Sequence, residues 1–131
     1  MTPIQFGHIE IAGVKYPVKF GTAQSRDYCN AMGCDLKDYT ELFQADKDGK
    51  NKFAKLETNG EEMMALVWSA LKQGARVEKQ PFDLTLDDAA DLIDHMNLKP
   101  KLWEDFFGVM QDGADLEEQA SPNGKAKLKA A

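Results

Sequence analysis

The sequence predicts a mainly α fold with a small N-terminal β-hairpin, an α+β arrangement of about five helices around one central apolar helix. Three observations carry that reading. Residues 14–20 alternate apolar and polar side chains, whereas apolar residues after Thr22 recur at three- and four-residue spacing, and these are the periods of strand and helix. Met63 to Leu71 puts apolar groups on nearly every side of a helix, as befits an element in the middle of a domain. Beyond Gly113 the periodicity stops.

The hairpin is expected over residues 3–20. Val14, Tyr16, Val18 and Phe20 alternate with Lys15, Pro17 and Lys19, the pattern of a strand with one buried face. Ile9 and Ile11 lead into Ala12-Gly13, a two-residue turn whose glycine can take positive φ. Pro17 has no N–H to donate, so its strand is an edge or its proline faces outward. Ile4 and Phe6 fall out of phase with Ile9 and Ile11, which a bulge at Gly7-His8 would reconcile.

The helices follow in order. Thr22 is placed to cap the first, which runs to about Met32 with Gly33 as its C′ residue. Asp35 caps a short second helix carrying Leu36, Tyr39, Leu42 and Phe43 on one side. Residues 45–60 are polar and glycine-bearing, mostly loop. Asn59 and Glu62 have capping-box spacing ahead of the central helix, which includes Trp68 and which Gly74 should end. Thr85 and Asp88 form another such pair, before a helix with Leu86, Ala89, Ala90, Ile93 and Met96 inward. Pro100 suits the first turn of a last helix carrying Leu102, Trp103, Phe106, Phe107 and Met110. Residues 1–112 therefore read as a single globular domain, and residues 113–131 as a flexible C-terminal tail with an acidic start and a basic end.

Composition narrows the function classes. A chain of 131 residues with 43% apolar content can bury a core without staples. Sixteen basic against 22 acidic residues give a net charge of −6, which repels phosphate and anionic lipid alike. Neither nucleic acid nor membrane is an expected partner. No apolar run approaches the ~20 residues that span a bilayer, and the start of the chain lacks a basic, then apolar, secretion signal. Two cysteines make no disulfide scaffold, so cytoplasm is the expected compartment.

Motifs for chemistry are few. Residues 46–57 imitate a calcium-binding EF-hand loop, with Asp46, Asp48 and Glu57 at ligand positions. Lys50 puts a cation where an oxygen belongs, and Asn51 replaces the turn glycine. A calcium-responsive regulatory domain built on this loop is the alternative reading. Cys29 and Cys34 are spaced neither as a redox CxxC pair nor as zinc ligands, and His8 and His95 lie on other elements. Paired carboxylates such as Glu61-Glu62, Asp87-Asp88 and Glu117-Glu118 sit at helix starts or in the tail, where the helix dipole and solvent account for them. No nucleophile elbow, phosphate loop or dinucleotide fingerprint occurs. No catalytic residue, metal or cofactor is therefore expected. The stripe on the last helix admits two readings: core packing, or a face for a partner helix. Trp103, Phe107, Phe106 and Met110 are the candidate contact residues, with Trp103 and Phe107 on the line expected to face a partner.

Taken in order, Gly13-Val-Lys-Tyr16-Pro-Val-Lys-Phe20-Gly21, the helix from Asp35 to Phe43, Met64-Ala-Leu-Val-Trp68-Ser-Ala-Leu71 and Phe82-Asp-Leu-Thr85-Leu-Asp-Asp-Ala-Ala-Asp-Leu-Ile-Asp94 resemble the tail assembly chaperones of long-tailed bacteriophages and prophages. The likeness spans about residues 9–110 and consists of apolar spacing rather than catalytic signatures. It implies a non-enzymatic protein in the host bacterial cytoplasm that binds the tape-measure protein while tail-tube subunits polymerise around it. Contact with the tail-tube protein and self-association are further expectations of that resemblance, and many proteins of that family are made in two lengths by a translational frameshift.

Overall fold

In a computed structural model of the chain, residues 4–44, 47–49 and 56–111 are described. Strands β1 (Phe6–Ile11) and β2 (Val14–Lys19) pair antiparallel, in continuous register from Phe6 opposite Lys19 to Ile11 opposite Val14. Both turn residues have positive φ, 53° at Ala12 and 81° at Gly13, so the turn twists in the sense the strands need. The expected bulge at Gly7-His8 does not form. Gly7 lies in phase with buried Ile9 and Ile11, and a Cβ there would stand 3.1 Å from Val109 on the last helix. Phe6 faces the other way, its ring 5.3 Å from that of His8. The phase mismatch is thus a matter of faces, not of an extra residue.

Pro17 is on an edge, as in any two-stranded sheet. Phe20 N–H donates to Gln5 O at 2.9 Å, and alternation along the ladder then makes Pro17–His8 a pair without hydrogen bonds. Its missing donor leaves the ladder intact. The proline is nonetheless buried rather than outward-facing. Val14, read as inward, is 50% exposed beside the turn.

Helix α1 (Thr22–Met32) begins after Gly21, which takes the cap position expected of Thr22. At its end Gly33 is left-handed, and the Cys29 carbonyl accepts from the N–H groups of Gly33 and Cys34. Helix α2 (Leu36–Glu41) is capped by Asp35, whose carboxylate accepts from Asp38 N–H at 3.0 Å. Helix α3 (Glu61–Val77) is capped by Gly60 rather than Asn59, whose side chain instead accepts from Asn97 Nδ2 at 2.7 Å. Helix α4 (Leu86–Leu98) carries the expected Thr85–Asp88 box, although Leu86 at its first turn is 37% exposed. Helix α5 (Lys101–Gln111) follows Pro100, whose carbonyl accepts from Trp103 N–H at 3.0 Å. Residues 112–131, including the expected tail at 113–131, lie outside the described residues.

Helix α3 is the centre, with Met63, Ala65, Leu66, Val67, Ala70, Leu71 and Ala75 buried. It packs against β2, α1 and α4, while α5 closes over β1. Gly74 does not stop it. A Cβ on Gly74 would lie 2.1 Å from the Pro17 carbonyl oxygen, so this glycine is where helix and strand backbones touch. Phe20 meets Phe106 edge-on at 5.1 Å across the core. Trp68 stands off-centre: its indole N–H donates to Leu84 O at 2.8 Å and its ring abuts Phe82, clasping residues 80–85 to α3. Among the described residues no helix is long and apolar enough to cross a membrane.

Gly74→Ala should destabilise the protein by about 3 kcal/mol or more in urea unfolding, because backbone rather than a side-chain tip must move. Ala12→Gly should act oppositely. Relieving a left-handed alanine should raise stability by about 0.5–1 kcal/mol in the same assay, after the glycine's extra unfolded-state entropy is subtracted.

Candidate partner-binding face

Helix α5 has two apolar lines. Leu102, Phe106 and Val109 face inward and are buried, whereas Trp103, Phe107 and Met110 are half-buried. Four-residue spacing aligns Trp103 with Phe107, and their rings stack with centroids 5.6 Å apart and planes 25° off parallel. Trp103 Nε1–H donates to Asn97 Oδ1 at 3.0 Å, fixing the ring's orientation. Phe106, one of the four candidate contact residues, has no exposed surface. Its place one turn after Leu102 puts it on the inner line, where it carries Phe107 on its edge at 5.5 Å.

Met110 joins this line to a groove. Its carbonyl accepts from Gln5 Nε2 at 2.8 Å, and the residue lines a cavity of about 390 Å³ with Phe20, Leu36, Tyr39 and Phe43. Leu36 is 58% exposed and also borders a second cavity of about 280 Å³ against α1. Met110, three residues after Phe107, thus borders the same cavity as Leu36. Periodicity on α2 had suggested one packed side, yet none of its residues is fully buried. The sequence signal for this groove is slight: a six-residue helix with leucine directly after its cap.

The groove wall is anchored from beneath. Tyr39 hydroxyl donates to Gln24 Oε1 at 3.1 Å, and Gln24 Nε2 donates to Ser69 Oγ at 3.0 Å on α3. Burial pushes the Tyr39 phenol pKa up. Tyr39 also packs on Tyr28 at 4.9 Å and on Phe43 at 5.1 Å. One turn along α1, buried Asp27 accepts from Gln73 Nε2 at 2.5 Å and from Lys72 Nζ at 3.3 Å. Gln73 Oε1 in turn accepts from Arg76. Every buried side-chain polar atom among the described residues has a partner.

The remaining candidates lie on other parts of the chain. Asp46 lies outside the described residues, Asp48 and Glu57 are exposed, and the Glu57 carbonyl accepts from Gly60 N–H in the turn before α3. His8 pairs with Glu78 at 2.6 Å, far along the chain from His95 on α4. No three His, Cys, Asp or Glu side chains group as metal ligands among the described residues. Cys29 is buried and Cys34 half-buried. Burial above all, then the Cys34 thiol beside it, pushes the Cys29 thiol pKa up to about 11.

Tyr39→Phe should lower stability by about 1–2 kcal/mol in denaturant unfolding, since Gln24 Oε1 would keep only the long 3.4 Å bond from Gly21 N–H. An unchanged midpoint would mean that water takes over the lost bond.

Comparison with family models, with curated proteins and with solved structures finds no match to this chain.

Proposed function

We propose that this chain is a non-enzymatic tail assembly chaperone of a long-tailed phage or prophage, acting in the host bacterial cytoplasm. It holds a helical segment of the tape-measure protein until tail-tube subunits enclose that segment. The observation that carries the reading is the half-buried line of Trp103, Phe107 and Met110 beside a buried line on the same helix. An amphipathic partner helix buries apolar side chains at matching spacing on such a face. Methionine at its end adapts to varied partner side chains. The hairpin-and-helix order that underlies the family resemblance agrees with this role, and a net charge of −6 keeps a loaded holder soluble. Contact with the tail-tube protein and self-association belong to the same proposal.

Replacing Trp103 and Phe107 together with Ser should weaken binding to the tape-measure protein by roughly thirtyfold or more, the effect of losing an aromatic anchor. The double variant should keep its helical circular dichroism and a cooperative melt. Phe106→Ser should instead unfold the domain, because it truncates a fully buried ring. Unaltered binding by the folded double variant would overturn the assignment of this face.

A further inference from the structure

We propose that Cys29 and Cys34 form a dithiol site that small disulfides oxidise to an intramolecular bridge, locking the corner between α1 and α2. The argument rests on the helix end. Cys34 N–H donates to the Cys29 carbonyl at 3.1 Å across left-handed Gly33. This six-to-one bond is the signature of a Schellman cap, a motif that brings the side chains at its first and last positions into contact. Those two positions are occupied here by cysteines. A five-residue separation, foreign to redox and zinc motifs, is the separation that this cap closes.

Access and chemistry fit the same geometry. Cys34 is half-buried at the surface, and Cys29 borders the cavity of about 280 Å³ with Thr22, Ser25, Arg26, Asn30 and Leu36. Glutathione disulfide is a suitable oxidant. The Cys34 thiolate attacks one of its sulfurs, which forms a protein–glutathione mixed disulfide and expels one glutathione thiolate. Cys29 then gives up its proton, and its sulfur attacks Cys34 Sγ, expelling the second glutathione. Two protein thiols are oxidised and one glutathione disulfide is reduced to two thiols. The deep position of Cys29 makes it the resolving rather than the attacking sulfur. The loop from Cys29 to Cys34 is only six residues long, so the bridge stabilises the fold less than one closing a long loop would. A bond of that kind suits reversal by the cell's thiols better than permanent structure. Leu36 follows two residues later, so the bridge would fix one wall of the groove, although the inference stands without any partner.

The test uses the intact native chain in excess oxidised glutathione, with acid quenching, mass spectrometry and iodoacetamide labelling. The expected product is a monomer two hydrogens lighter, with both cysteines protected and with labelling restored by dithiothreitol. Cys29→Ala should stop at a species one glutathione heavier, modified at Cys34, and Cys34→Ser should form no bridge. At a fixed glutathione ratio, the bridged fraction relative to reduced protein should fall at least about tenfold in urea, where the cap is lost. A native protein that stays reduced, stops at the mixed disulfide or forms only linked dimers overturns the proposal. So does a bridged ratio as high in urea as in the native state, since the cap would then contribute nothing.

Discussion

The backbone of Gly74 on α3 lies against the peptide unit joining Pro17 to Val18 on β2, with no room between them for a side chain. Any side chain at Gly74 would force helix and strand apart, and the core on both sides depends on that spacing. With the backbones in contact, Val18 and Phe20 reach α3, and the hairpin's inner face is left free to receive α5. The proline complements the glycine. It occupies a ladder position without hydrogen bonds, where no N–H is required, and it is buried. A glycine within a helix ordinarily weakens it by up to about 1 kcal/mol. Here the same residue permits burial of several large side chains, which outweighs that loss.

A polar seam orders the second layer. Gln24 and Asp27 on α1 lie one turn apart and meet Ser69 and Gln73 on α3, which are also one turn apart. Purely apolar helix faces can slide by a turn and still bury surface, whereas a displaced seam would break the bonds that four buried polar groups make between the two helices. Tyr39 extends the seam to α2, a helix too short to hold itself in place. The groove beside α5 therefore owes its shape to hydrogen bonds that reach the central helix, even though its lining is mostly apolar.

Much of this was legible in the residues. Period-two alternation located β2, and the Asp35 and Thr85 boxes located the starts of two helices. Gly33 marked the end of another. Gly74 misled, because a glycine admitted by a crossing strand and one that ends a helix look alike before the strand is in view. Asn59 misled for a related reason, its side chain being claimed by Asn97 from a helix far along the chain. On α5 spacing paired Trp103 with Phe107 and set Leu102 and Phe106 on the other line, but it grouped Met110 with that buried line, whereas Met110 is half-buried. The groove was hidden because it arises from three elements, and the partial exposure of Leu36 depends on what α2 lacks above it.

The way the hairpin is covered bears on synthesis. Ile9, Ile11, Val18 and Phe20 leave the ribosome first, yet the side chains that bury them come from α3, α4 and α5, as late as Phe106 and Val109. A hairpin alone is marginal in water. During translation its apolar face lacks part of its native cover until residues as late as Val109 have emerged. Until then the nascent protein carries an uncovered apolar surface, which favours association with other chains.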